Sequence, residues 1–367
     1  MRAIFLAPRE PRLAPFTCTR PPGAIPVLNV PLFLANLFAL GESADGLSVI
    51  GESADDLSSI SDSSPETMAM DTVGVQDSAA ALLDALRNCS NGVILMQAHD
   101  RFDKAELAVL TQNGGILSHP DADTGGLAAA PSGGRILAIC SLESPPLDGL
   151  DSGASTNDIV EHLCTRQGQD KVLKAIRSSP MVYPWHIIEA NVDALQNLSG
   201  QRIEGTLQDG VSIEGPVVIG SGTTIKSGTT IEGPVMIGDH CTIGPCAYIR
   251  PNAVIGDDCF IGHSFEIFDS VVFDGTKGKH RSYVGHSVIG SNANLGCGLI
   301  TSDYRHDSRS HVTLVDGKKL DSGRTKLGAF IGDGVKTGVQ TLLYPGRKIW
   351  PGLSTLPGEI VVSDKTG

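Results

Sequence analysis

The 367-residue chain is poor in aromatic side chains (5%), has only two tryptophans, and shows no excess of basic residues. Scarce aromatics leave the core to aliphatic residues. The 28 Lys and Arg against 41 Asp and Glu give a net charge of −13, which excludes the basic footprint of a general nucleic-acid binder. No hydrophobic run is long enough to span a bilayer. The most apolar stretch, Ala24–Leu40, is broken by Pro26, Asn29, Pro31 and Asn36. Ala3–Ala7, halted by Pro8, is too short for the apolar region of a secretory leader. The eight cysteines form no CxxC pair, so neither a zinc site nor a disulfide framework is signalled. The expectation is a reduced, cytoplasmic protein with no membrane and no nucleic acid among its partners.

What the chain has in abundance is periodicity. Leu207, Ile213, Ile219, Ile225, Ile231, Ile237, Ile243, Ile249, Ile255, Ile261, Ile267 and Phe273 lie six residues apart. A six-residue apolar period with Gly, Asp and Asn between is the hexapeptide β-helix pattern. Each hexad is a short strand and a turn, and β-branched isoleucine suits the strand and stacks on the isoleucine one coil above. A second, mostly small inward position follows each of these by four residues: Val217, Thr223, Thr229, Val235, Cys241, Ala247, Ala253 and Cys259. Cys241 and Cys259 therefore read as packing residues. The pattern resumes at Val284, Ile289 and Leu295, then at Ile331, Leu343 and Ile349. Two interruptions, Asp274–Ser282 and Ile300–Lys326, read as long loops on a rigid solenoid, where function tends to sit.

Residues 1–182 read as α/β. Ala3–Ala7, Gly92–Ala98 and Arg135–Cys140 are strand-like runs, and Asp77–Leu86 is an Ala/Leu-rich helix behind an Asp77 cap. A tandem decamer, GESADGLSVI then GESADDLSSI, fills 41–60, and Pro21–Leu86 holds ten acidic residues with no Lys or Arg. That composition predicts a solvated, disordered insertion over about 41–75. Residues 183–200 read as a linker helix, 201–353 as the β-helix and 354–367 as a tail.

One local charge count stands apart. From Lys277 to Lys348 there are 7 Lys and 5 Arg against 5 Asp and no Glu, a basic zone on an acidic protein. It suits a polyanionic ligand.

Two motif sets carry a family resemblance. In the C-terminal half they are His280-Arg281-Ser282-Tyr283-Val284-Gly285, Asn294-Leu295-Gly296-Cys297-Gly298, Asp303-Tyr304, and Ser322 through Gly332. In the N-terminal half they are Met1–Ala7, Arg12 through Thr17, Arg20-Pro21 and Pro26-Val27. Together they resemble the bifunctional glucosamine-1-phosphate acetyltransferase / N-acetylglucosamine-1-phosphate uridylyltransferase family, in its archaeal-type sugar-1-phosphate branch. The resemblance implies an α/β plus all-β fold: a shortened Rossmann-like nucleotidyltransferase domain followed by a left-handed parallel β-helix that assembles as a homotrimer.

It also implies roles. His280 would take the ammonium proton of an amino sugar so that the amine attacks acetyl-CoA, since histidine is the natural base near neutral pH. Tyr283 and Asn294 would complete the catalytic set, and Asp303, Tyr304, Arg309, Arg324 and Lys326 would hold the sugar phosphate. In the N-terminal half Arg12 would meet a nucleoside triphosphate and Asp100 would hold Mg2+.

Four departures qualify it. The family's Gly-rich phosphate loop reads Pro8-Arg9-Glu10-Pro11-Arg12 here, which removes both glycines and two backbone donors. Pro22 replaces a family lysine. Asp303 replaces a family asparagine, and Arg309 replaces a lysine with retention of charge. The first expectation is therefore an acetyl-CoA-dependent N-acetyltransferase of an amino-sugar 1-phosphate with nucleotidyl transfer lost or weakened. The alternatives are a fully bifunctional enzyme and a non-catalytic sugar-nucleotide-binding or regulatory protein.

Overall fold

A computed structural model describes residues 2–7, 14–16, 26–27, 30–31, 46–51, 70–74, 82, 85–87, 89, 93–97, 102, 104–119, 135–142, 145, 147–150, 154–167, 172–174 and 181–367. The chain divides into two compact units. The first comprises most of the residues up to Val182. A short stretch around Phe16 and the pair Pro26–Val27 group with the second unit, which otherwise runs from Tyr183 to Gly367.

The first unit is α/β. Its seven-stranded mixed sheet has the order Met70–Gly74, Gly46–Gly51, Arg2–Ala7, Val93–Gln97, Arg135–Ser141, Gly115–His119, Val172–Lys174. The first four are mutually parallel. Arg135–Ser141 runs antiparallel to both of its neighbours. Leu82, Leu86, Leu95, Ile116, Ile139, Ile159 and Leu163 share one buried cluster. Helix Thr156–Gln167 starts at a reciprocal cap. Ser155 N–H donates to Asp158 Oδ2 at 2.8 Å, and Asp158 N–H donates back to Ser155 Oγ at 3.2 Å.

Strands Gly46–Gly51 and Met70–Gly74 fall inside the stretch read as a disordered insertion, and the structure corrects that reading there. The physical reason is local. Gly-Leu-Ser-Val-Ile-Gly is an apolar segment whose acidic flanks dominate the composition of the whole stretch.

The second unit is a parallel β-helix of about nine turns. Two eight-stranded sheets and one five-stranded sheet form its faces. Every predicted inward isoleucine from Ile219 to Ile267 is fully buried, as are the small partners Val217, Thr223, Thr229, Val235 and Ala253. Cys241 and Cys259 are buried in the same core. Leu207 is exposed because its strand is at the edge of its sheet, paired with Thr224–Ile225 and with no other strand among the described residues.

The step between coils is 18 residues from Val217 to Val235 to Ala253, and 17 from Val254 to Val271 to Val288. The lost residue moves Val272, not Phe273, into the column under Ile255. Phe273 turns away from the solenoid core and packs edge-to-face with Phe16, the ring centroids 5.7 Å apart. The expected interruption at Asp274–Ser282 is not a loop: Lys277–Gly278 continues the coil on Phe260–Ile261. The second interruption is real. After Ile300–Thr301 the chain leaves the coil, forms an antiparallel hairpin of Val312–Val315 with Lys318–Asp321, and re-enters at Phe330–Ile331. The solenoid also runs past residue 353, since Ile360–Val361 pairs with Leu342–Leu343 and Val361 joins the core.

Helix Pro184–Leu195 begins with Pro184 in the first turn, where the missing N–H costs nothing. It buries Trp185, Ile187, Ile188, Asn191 and Leu195 and packs on strands Val271–Val272 and Val288–Ile289.

Candidate functional site

The site is built where the excursion leaves the solenoid. Tyr283 lies in strand Ser282–Gly285, between Glu266 of the preceding coil and Ile300 of the next. Its hydroxyl donates to Asp303 Oδ2 at 2.9 Å. Burial, with the Asp303 charge behind it, pushes the Tyr283 phenol well above its ordinary value, so the hydroxyl stays a donor. Gly285 makes room for this bond. A Cβ there would collide with Tyr283 Oη and lie 2.9 Å from Asp303 Oδ2.

Asp303 is held on several sides. Lys326 Nζ lies 3.5 Å from Oδ1 and His286 Nε2 lies 3.5 Å from Oδ2. The backbone carbonyl of Asp303 accepts from His311 Nε2 at 3.0 Å. Burial holds the His311 imidazole below its ordinary value, so that ring is a neutral donor. Lys326 also sits 4.4 Å over the Tyr304 ring, and Tyr304 Oη bonds Ser308 Oγ at 2.6 Å. Arg324 donates to Glu189 Oε1 at 2.8 Å and lies 3.8 Å from Asp269 Oδ2.

The structure thus gathers Tyr283, Asp303, Tyr304, Arg324 and Lys326. It does not place three other expected residues in this network. His280 is exposed on the turn after Lys277–Gly278, with no side-chain hydrogen bond among the described residues. Asn294 is exposed and bridges Lys277 and Lys336 through its backbone. Arg309 is exposed, with its backbone N–H on Asp307 Oδ1 at 3.2 Å. Arg12 and Asp100 lie outside the described residues. Among the described residues no group of three His, Cys, Asp or Glu could hold a metal ion.

Sequence reading missed Arg250, Asp269 and His286. Arg250 pairs with Glu266 at 2.9 Å, stacks 4.2 Å over the Phe268 ring, and keeps a buried Nε with no hydrogen-bond partner among the described residues. Its charge interacts with Tyr283. The available signal was the 17-residue spacing of Asp269, His286 and Asp303, which a search for six-residue periods passes over. Beside the cluster, Tyr304, Arg305, His306, His311, Tyr344 and Arg347 line a cavity of about 540 Å3.

A parallel β-helix whose loop collects tyrosines, cations and a held carboxylate defines a transferase of the hexapeptide-repeat class. The comparisons say which. A family model described as the GMPPB C-terminal domain matches residues 231–344. A protein of Sulfurisphaera tokodaii named bifunctional sugar-1-phosphate nucleotidylyltransferase/acetyltransferase is 32% identical over 99% of this chain and 98% of its own length. Proteins named bifunctional protein GlmU from two strains of Methanococcus maripaludis are 44% and 54% identical. Those two alignments cover 50% and 46% of this chain, and 44% and 40% of the relatives. The chain spans less than half the length of these GlmU relatives. It belongs to the bifunctional sugar-1-phosphate nucleotidylyltransferase/acetyltransferase family.

Proposed function

We propose that the second unit is an acetyl-CoA-dependent N-acetyltransferase acting on an amino-sugar 1-phosphate. The observation that carries this reading is the half-buried Tyr283 hydroxyl held on Asp303, with Arg250, Arg324 and Lys326 around it. Such a cluster offers hydrogen bonds to a sugar and cations to a phosphate. His280, three residues before Tyr283, is free to take a proton from the substrate ammonium. The amine then attacks the thioester carbonyl, the C–N bond forms, the C–S bond breaks, and coenzyme A leaves as the thiolate, which takes up the proton the nitrogen gives up in becoming the amide. Asn294, Tyr304 and Arg309 stand along the same coils and excursion as further contacts for sugar and phosphate. The acceptor is glucosamine 1-phosphate or galactosamine 1-phosphate.

The test is coenzyme A release from acetyl-CoA with each sugar. The His280→Ala variant should lose about 10²- to 10⁴-fold in rate. An unchanged rate removes His280 from the mechanism, and no turnover with either sugar overturns the reading.

A second reading rests on the full-length match to a relative named for both activities. In it the first unit transfers a nucleotidyl group, with Arg12 on the nucleoside triphosphate and Asp100 on Mg2+. Pyrophosphate release that needs Mg2+ and a sugar 1-phosphate supports it, and its absence with UTP, dTTP and GTP overturns it. The assembly we propose is a homotrimer in the cytoplasm. Among the described residues no helix is long and apolar enough to cross a membrane.

A further inference from the structure

Asp269, His286 and Asp303 stand 17 residues apart, which is the coil step in this part of the solenoid. They therefore occupy one corner of three successive coils. Asp269 and His286 both sit in the left-handed region, with φ of 44° and 49°, where Asp and His are among the better tolerated residues. Their side chains are nearly closed to solvent: 11% exposed for Asp269, 9% for His286 and 12% for Asp303.

His286 Nδ1 is 2.6 Å from Asp269 Oδ2, and its Nε2 is 3.5 Å from Asp303 Oδ2. The ring packs edge-to-face with Phe268, the ring centroids 5.0 Å apart. Beyond the ring, Arg324 lies near Asp269, and Lys326 and the Tyr283 hydroxyl lie on Asp303. Glu189 pairs with Arg324, and Arg250 with Glu266 closes the Phe268 side.

A neutral imidazole carries one N–H and one lone pair. With a proton in the Nδ1–Asp269 gap, the bare Nε2 lone pair would face a carboxylate oxygen across a buried space, which is repulsive. The arrangement is attractive when each gap holds a proton, with an imidazolium between two carboxylates. Buried charges persist only when paired in this way.

We propose that His286 is a positioning residue for acyl transfer. Its doubly protonated ring ties Asp303 to Asp269 and so fixes the Asp303 carboxylate as the acceptor of the Tyr283 hydroxyl. The Tyr283–Asp303 pair is then a rigid, anionic recognition element for an amine-bearing sugar. This rests on the acetyltransferase reading.

The experiment is a double-mutant cycle in the full chain with His286→Asn, Asp303→Asn and the double variant, each checked for folding by thermal melting. His286→Asn should raise KM for the amino-sugar 1-phosphate by roughly 10- to 100-fold. KM for acetyl-CoA should stay within about twofold. The double variant should be no worse than Asp303→Asn alone, because the ring has then lost the carboxylate it positions. Equal losses from His286→Asn in both backgrounds overturn the proposal.

Nitrogen-15 NMR of the histidine rings in the wild-type chain near pH 7 is the second measurement, and it stands if His286→Asn fails to fold. Two ring N–H protons on His286, with the Nε2 proton lost in Asp303→Asn, are expected. A single N–H overturns the proposal. If the wild-type chain acetylates neither sugar, the acetyltransferase reading fails and the NMR result still decides the charge chain.

Discussion

The hydroxyl of Tyr283 donates to Asp303 Oδ2 at 2.9 Å across one step of the solenoid, and Gly285 leaves the space in which that bond forms. The bond joins a residue set by the coil to one set by the excursion after Thr301. It gives the candidate site a fixed donor–acceptor pair between coil and excursion.

Gly285→Ala tests that pair without touching either partner. The new methyl would push into Tyr283 Oη. Crowding of this kind costs about 1–3 kcal/mol in stability and should leave a folded protein. Acetyl transfer should fall by roughly 10- to 100-fold in kcat/KM. Steady-state kinetics beside a thermal melt separate the two effects, and an unchanged kcat/KM would show that the pair does not meet the acceptor.

His311 makes the excursion sensitive to acid. Its ring is held below the ordinary value by burial while its Nε2 donates to the Asp303 carbonyl. Above the unfolded value of 6.5 both states are neutral and the contact costs nothing. As pH falls below 6.5 the unfolded chain takes a proton that the folded chain resists, so stability declines until the folded value is passed. Melting temperatures at pH 7.5 and pH 5.5 should differ less in His311→Gln than in the wild type. Equal differences would place the acid sensitivity elsewhere.

Lys348 anchors the hairpin. Its ammonium is buried, donates to Thr313 Oγ1 at 2.9 Å and lies 3.6 Å from Asp364 Oδ2. Burial pushes it below its ordinary value. Lys348→Met leaves Asp364 without that partner and should cost about 3–5 kcal/mol, the usual penalty for breaking a buried pair. Urea unfolding measures it. Exchanging Asp364 for Asn in the same chain should recover part of the loss, because the stranded charge is then gone.

Trimer formation has a visible surface to test. Ile300, Leu342 and Ile360 pair in register along one sheet and are 44%, 37% and 53% exposed. A row of apolar side chains left to water on a rigid face suits burial against a neighbouring copy. Light scattering should give three times the chain mass. Leu342→Glu with Ile360→Glu should shift it to a single chain. A wild-type monomer at working concentration would remove the trimer from the reading.

Much of this protein is written in its sequence. The six-residue period names the β-helix because each inward isoleucine is decided locally, by a strand and a turn that recur whatever surrounds them. Ile219 through Ile267 are buried as that rule requires. Tyr283, Asp303, Tyr304, Arg324 and Lys326 were legible as a set because their motifs resemble a family's. The two strands within 41–75 were not, since composition averaged over a stretch hides a six-residue apolar core.

The rest needed three dimensions. A single residue lost between coils changes the step from 18 to 17, exchanges Val272 for Phe273 in the core, and carries the chain through 274–282 without a loop. Asp269 and His286 look like ordinary turn residues in the sequence. Only the stacking of coils brings them into one column with Asp303, because contacts between residues one coil apart depend on the length of every turn between them. Local pattern determined what the chain builds, and the accumulated register of its coils decided which charged groups meet.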